Sequence, residues 1–403
     1  MRDHATRVGL LAVILVGLAA TPGSAANDDL VVAPAPEVRV EYIAHAAFVI
    51  ESPGGTRVAV DPYNGNNWLG YSFPHGLEAD AVVVTHPHFD HDATYYFSDV
   101  TPVFRAAGEY RVGDVTLRGV DSEHAGRARF LDRGQAPLNT FWIIETGGLR
   151  IAHLGDSRLL NELDLEAMGE VDVLLAGAAY FDDPNVDMLT LLLDSARPQV
   201  VIPMHYRHHE ITELPRGMRP LAEYMRNREP LYLEGNVAAF DPDRLGEWPQ
   251  IVVLEPSSEV EPWSDTLHDA WIEATEGVGL MADSETEIDE ANAEEALWEA
   301  LFHFEAAMDL VPTVLRFGYG AGDALARLGR VDEAIETLDH ALARAPRGDW
   351  TDRIRVHMLL GELYEAGGRN DIAIEHYAYV AAREHTHETG LREQAVERLA
   401  QLR

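Results

Sequence analysis

The stretch His86-Pro87-His88-Phe89-Asp90-His91-Asp92 crowds three imidazoles and two carboxylates into seven residues. Nitrogen and oxygen donors in this mixture suit borderline divalent cations such as Zn²⁺. The chain has no cysteine, which excludes thiolate ligands, disulfides and a lipid-modified N-terminal cysteine. A metal site in this chain must therefore be built from imidazole and carboxylate alone.

Such a cluster needs an ordered element before it. The apolar run Ala81-Val82-Val83-Val84 reads as a buried strand that feeds the motif into a loop. Three further apolar runs end on potential ligands: Val115 to Val120 leads to His124, Leu149 to His153 leads to Asp156, and Gln199 to Met204 leads to His205. Strand ends along one edge of a layered sheet can converge on a common point. Val38 to Glu51 alternates as a strand interrupted near His45, and Arg57 to Val60 returns from a Pro53-Gly54-Gly55 turn to end at Asp61. A carboxylate there either forms a turn or orients a ligand imidazole through its second nitrogen. The segment after His91 is expected to be helical, which would put Asp90 and Asp92 near a helix N-terminus. Beyond residue 158 helices and strands alternate, and the unit closes near Glu255.

Composition excludes some partners. The 403 residues include 68 Asp plus Glu against 31 basic residues, all of them arginine, for a formal net charge of −37. That field repels nucleic acid, whose phosphates need the opposite sign. It fits either charge-based solubility in a GC-rich genome or adaptation to high salt, where screening tolerates self-repulsion.

The N-terminus reads as an export signal. Arg2 and Arg7 precede an apolar run from Val8 to Ala20, and small residues follow up to Ala26. That run suits a signal-peptide core and is too short to span a bilayer. Residues 1–26 are expected to be the signal peptide and 27–37 a connector. The location implied is periplasmic or extracellular, with membrane contact only if the segment is retained.

Residues 256–290 are acidic and loosely patterned, and are expected to be a linker. Residues 291–403 are helical and repetitive: Ala300, Phe304, Ala307 and Pro312 recur as Ala334, Leu338, Ala341 and Pro346, an offset of 34 residues. A third copy carries Leu360, Gly361, Tyr364, Gly368 and Ala373. This period resembles tetratricopeptide repeats. The first copy lacks a clear first helix, and Gly390 to Leu402 reads as a capping helix.

Taken together, residues 38–255 resemble the metallo-β-lactamase fold superfamily. The nearest likeness is to the branch of L-ascorbate-6-phosphate lactonase-like proteins and N-acyl phosphatidylethanolamine-type phosphodiesterases. The resemblance rests on Ala-His-Ala-Ala-Phe-Val-Ile-Glu at 44–51, Val-Asp-Pro at 60–62, His-x-His-x-Asp-His, His124, His-Leu-Gly-Asp-Ser at 153–157 and Ile-Pro-Met-His-Tyr at 202–206. It implies an α/β fold, an αββα sandwich, followed here by an all-α tetratricopeptide-like domain. It also implies two divalent ions, Zn²⁺ first with Mn²⁺ or Fe²⁺ as alternatives. His86, His88 and His124 would hold one ion, Asp90, His91 and His205 the other, with Asp156 bridging. Asp61 and His45 would stand behind or beside these ligands, and Asp90 and Asp156 would carry the catalytic roles. His153 is the rival to His124, but its place inside a strand favours packing. His208 and His209 read as exposed histidines that either face substrate or do nothing, and Asn139 receives no role. An ion pair of this kind lowers the pKa of a shared water toward ~7, so that metal-assisted hydrolysis needs no protein nucleophile.

Neither a Gly-x-Ser-x-Gly elbow nor a Ser/His/Asp arrangement is present to support a covalent serine route. With only arginines such as Arg158 or Arg207 to hold an anion, a small-molecule lactone or ester is favoured over a phosphodiester. The rival class is a scaffold whose repeats bind a protein partner or self-associate; a complete ligand set speaks against a relic metal domain. A di-iron redox site would need a carboxylate at His88 or His124.

Overall fold

The structure is a computed structural model and describes residues 37–124, 138–157, 160–181, 188–215, 217–225, 228–287, 289–346, 350–383 and 389–403. The expected signal peptide and nearly all of the connector lie outside these residues.

Two six-stranded sheets pack face to face. The first runs in the order β13 (Val237–Phe240), β1 (Val38–Ala44), β2 (Ala47–Glu51), β3 (Arg57–Val60), β4 (Ala81–Val83) and β5 (Val103–Phe104). The second runs β11 (Val200–Met204), β10 (Val173–Gly177), β9 (Leu149–His153), β8 (Leu138–Thr146), β7 (Val115–Glu123) and β6 (Gly108–Val112). One apolar core joins their inner faces, with Val40, Phe48, Ile50 and Val83 from the first sheet against Trp142, Ile144 and Ile151 from the second. Alternate residues of β2 and β4 bury on the other side as well: Ala47, Val49 and Val82 join a separate cluster with Tyr63, Leu69, Tyr71, Phe73 and Phe97. Burial on both faces is why these strands read as continuous apolar runs rather than alternating ones. The outer face of the first sheet is thus covered largely by the aromatic loop 63–73. The helix expected after His91 is only a 3₁₀ turn, Thr94–Tyr96. Helices α1 (Glu162–Met168) and α2 (Met188–Ser195) sit on the second sheet through Met168, Leu189 and Leu192, and a short α3 (Leu221–Tyr224) is followed by β12 (Leu231–Tyr232), which pairs with β14 (Val252–Val253).

The helical part runs from α4 (Asp265–Thr286) through α5 (Glu290–Leu310), α6 (Leu315–Arg327), α7 (Val331–Arg344), α8 (Trp350–Ala366) and α9 (Asn370–Ala381) to α10 (Thr389–Leu402). Helix α4 occupies the stretch expected to be a linker. Its acidic residues hide an apolar spacing of Leu267, Ala270, Ala274, Gly277 and Met281, all buried in the helical core. This 3,4,3,4 pattern is that of one helix face, and α4 supplies the helix that the first repeat lacked. The repeated small residues permit close crossings: a Cβ at Gly320 would lie 2.4 Å from the Phe304 ring, and one at Gly361 would lie 2.6 Å from Tyr377. Among the described residues, no helix is long and apolar enough to cross a membrane.

Helix and sandwich are tied where α4 begins. The indoles of Trp263 and Trp271 stack and donate to the carbonyls of Gly65 (2.5 Å) and Asn66 (3.0 Å). Phe304 is the keystone of the helical core at 2% exposure. Phe304→Ala is expected to cost about 3–5 kcal/mol, read as a lower urea midpoint at unchanged m-value; an unchanged midpoint would show that the ring is dispensable.

Candidate metal centre

The site forms where strand ends of both sheets meet. The first sheet contributes His45 at the bulge between β1 and β2, Asp61 just after β3 and the His86–Asp92 loop after β4. The second contributes His124 after β7, Asp156 after β9 and His205 after β11. Two bonds hold the sheets in register here: Trp142 Nε1 donates to Val84 O (3.0 Å), and Thr140 N to Thr85 O (2.7 Å). Every residue expected to be a ligand comes together in three overlapping groups: His86, His88 and His124; His86, His91 and Asp156; His45, Asp90, His91 and His205. Donor atoms within each group lie inside 4.8 Å of one another.

Asp156 is the centre of the arrangement. Its Oδ2 lies 3.5 Å from His124 Nε2 and 3.9 Å from His86 Nε2, while its Oδ1 lies 3.4 Å from His205 Nε2 and 3.7 Å from His91 Nε2. Asp90 Oδ2 is 3.7 Å from His91 Nε2 and 3.8 Å from His205 Nε2. These separations are close to the roughly 3.3 Å between donors sharing one tetrahedral cation at about 2.0–2.1 Å. Among the described residues, the buried Nε2 atoms of His91 and His205 have no hydrogen-bond partner, although buried polar atoms ordinarily find one. A divalent cation would satisfy them, so the residues present fit a metal.

The surrounding charges agree. Burial lowers the His91 pKa, but Asp156, Asp90 and Asp61 outweigh it and push it up to about 10. The cluster thus stabilises positive charge at this point. Burial raises Asp156, but His205, His91 and His124 hold its carboxyl well below the usual range. Asp90 is likewise held low, burial being outweighed by His91 and His45. Burial lowers His88 to about 4, keeping the imidazole neutral and able to ligate. Side-chain exposure is 23% for His205 and 18% for Asp156, so these two donors reach solvent.

Supporting residues fix the donors. Asp61 accepts from Thr85 N and Thr85 Oγ1, both at 2.7 Å, and from His91 Nδ1 at 2.7 Å. It therefore holds the ligand tautomer of His91, the orienting role open to a strand-end carboxylate. His45 Nε2 is 3.1 Å from Asp90 Oδ2. His153 is fully buried; its Nε2 meets Ala46 O (2.9 Å) and its Nδ1 accepts from Gly155 N (3.2 Å), so it buttresses rather than joins the cluster. His208 is not an exposed histidine: it is 1% exposed, 2.8 Å from the Tyr42 hydroxyl and packed on Tyr71 and Tyr206. His209 is exposed and pairs with Glu210, and Arg207 with Glu213. Arg158 lies outside the described residues.

Several contributors escaped the sequence. Asn139 Oδ1 accepts from Asp156 N (3.0 Å), and its amide donates to Leu154 O and Ser157 Oγ. It pins the loop that presents Asp156. Gly155 (φ +54) passes so close to Thr85 that a Cβ would lie 2.5 Å away, which explains the glycine before Asp156. Arg105 grips Asp92 at 2.7 and 2.8 Å, doing what a helix N-terminus was expected to do. The buried Tyr180 hydroxyl has no hydrogen-bond partner among the described residues, and burial and the Asp156 charge keep it protonated. Three site residues, His45 (φ 57), Asp61 (φ 46) and His205 (φ 57), adopt left-handed backbone, which is uncommon outside glycine.

Residues 39–205 match a family model described as a β-lactamase superfamily domain, and residues 315–378 match a tetratricopeptide repeat model. A UPF0173 metal-dependent hydrolase of Thermococcus kodakarensis is 24% identical over 253 residues, covering 56% of this chain and 99% of the relative. One from Thermus thermophilus is 29% identical over 194 residues, covering 42% and 84%. Among solved structures, a Thermotoga maritima protein assigned to the metallo-β-lactamase superfamily aligns with 55% of this chain and 100% of its own, at 22% identity and a TM-score of 0.40. The chain thus carries a match to a β-lactamase superfamily domain followed by one to tetratricopeptide repeats, and the relatives of the first part are named metal-dependent hydrolases.

Asp61→Asn leaves one acceptor oxygen where Thr85 N and His91 Nδ1 are served by two, so one of these donors must face an amide NH2. Metal affinity is expected to fall about 10–100-fold, measured by competition with a chromogenic chelator. Wild-type affinity would remove Asp61 from this role.

Proposed function

We propose that the chain is a dinuclear metal-dependent hydrolase acting on a carboxylic ester or lactone. The observation that carries the dinuclear reading is Asp156, whose two oxygens face different imidazole pairs. His86, His88 and His124 would hold one ion, Asp90, His91 and His205 the other, and Asp156 would touch both. When bound, a pair of divalent cations supplies Lewis-acid polarisation of the scissile carbonyl and an attacking water of pKa near ~7. Zn²⁺ suits this nitrogen-rich set, and Mn²⁺ or Fe²⁺ could replace it according to supply.

The protein's own groups do the remainder. Asp90, fixed by His45, would pass a proton to the leaving oxygen, or a bound water would do so in its place. Asn139 and Gly155 hold Asp156 still throughout. The arginines that flank the motif, Arg105 and Arg316, are each locked in a bidentate pair with Asp92 and Asp352, which favours a neutral acyl group over a phosphodiester. The apolar segment from Val8 to Ala20 supports export to the periplasm or beyond, and the repeats support a protein partner or self-association.

Chromogenic lactones, esters and phosphodiesters, assayed with chelator and with added Zn²⁺ or Mn²⁺, test this. Hydrolysis of an ester or lactone that chelator removes and metal restores is expected; turnover of none by fully loaded protein would refute the reading. His88→Ala and Asp156→Ala should each fall to the rate of the metal-stripped control. Cell fractionation tests export: a cytosolic, uncleaved chain would refute it.

A further inference from the structure

Resting on that reading, we propose that the helical repeats are a working part of the metal centre: Thr351 and the Arg316–Asp352 pair hold the Pro87–Phe89 turn and so position His88. The contacts converge from two helices. Thr351, in the first turn of α8, donates its hydroxyl to Pro87 O at 3.2 Å. That carbonyl lies between the ligand residues His86 and His88 in the chain. The Arg316 guanidinium, on α6, lies over the Phe89 ring at 5.7 Å. The opposing constraint on Phe89 comes from the sandwich, where Trp68 meets its ring edge-on at 6.1 Å and Asn64 N donates to its carbonyl at 2.8 Å.

Arg316 is itself fixed. Its Nε and a terminal nitrogen contact the Asp352 carboxylate at 2.9–3.2 Å, and the Asp352 side chain is 1% exposed. A buried carboxylate leaves its guanidinium partner little freedom, because losing the pair would strand a charge in low dielectric. Asp352 neighbours Thr351, so one turn of α8 carries both the hydroxyl on Pro87 and the anchor for Arg316.

The other ligands are held differently. Thr85 and Asp61 fix His86 and His91 from within the sandwich, and Asn139 fixes Asp156. Of the donors, His88 is the one with both chain neighbours, Pro87 and Phe89, in contact with the helices among the described residues. The brace should therefore act on one ion more than the other, and Arg316, Asp352 and Thr351 are positioning residues.

The test uses the full chain, titrated with Zn²⁺ against a chromogenic chelator and with Co²⁺ followed by its visible absorption. Thr351→Val and Arg316→Ala are each expected to weaken one of the two equivalents about tenfold, the low end of what partners behind a ligand supply, and to shift the Co²⁺ spectrum. The other equivalent should be unchanged, and Thr351→Ser should restore wild-type behaviour. If Arg316→Ala loses helix content by circular dichroism, Thr351→Val, which removes one hydroxyl, decides. Two wild-type equivalents and an unaltered spectrum in Thr351→Val would overturn the brace alone. A wild-type chain that takes up no metal would overturn the hydrolase reading and the brace with it.

Discussion

The position of one carboxylate constrains everything else. Asp156 can face two pairs of imidazoles only if the ends of β4, β7, β9 and β11, drawn from both sheets, agree on where it stands. Productive sites tolerate deviations of only about 0.5 Å. The sandwich secures that agreement by ordinary means: an apolar core joining the sheets, Trp142 reaching across to the carbonyl of Val84, and Asn139 fastening the loop before Ser157. None of these contacts is chemical in purpose, yet removing any of them would blur the centre.

Electrostatics make the same demand from another direction. Asp61, Asp90 and Asp156 lie beside a group of buried imidazoles, and isolated buried charges are costly unless matched. The match inside is local and cationic. Outside, a formal charge of −37 concentrates divalent cations and repels phosphates. Both favour metal uptake.

Much of the centre was legible in the sequence, and the reason is specific. Four of the clustered residues, His86, His124, Asp156 and His205, each follow an apolar run, because a rigid strand must deliver them; hence their convergence could be read from the sequence. Asp61 was legible as a carboxylate at a strand end. What stayed hidden depends on contacts distant in sequence. Arg105 reaches Asp92 from thirteen residues on, and Asn139 reaches Asp156 from the start of a strand whose pattern gives no hint of it. His208 sits beside the exposed His209, and only the fold shows that it turns inward onto Tyr42. Helix α4 was concealed by composition: its acidic residues suggested a linker, while the spacing of Leu267, Ala270, Ala274, Gly277 and Met281 carried the true signal. Apolar period outranks charge when the two disagree.

The left-handed backbone at His45, Asp61 and His205 has a consequence for how such a protein can change. Conformations of this kind carry strain of about 1–3 kcal/mol each, and three together approach the net stability of a whole domain, about 5–15 kcal/mol. Selection for robustness alone would relax those positions, glycine being the easiest route, and each relaxation would delete a side chain the centre uses. A lineage of this fold drifting toward greater sturdiness would therefore lose its chemistry before it lost its shape.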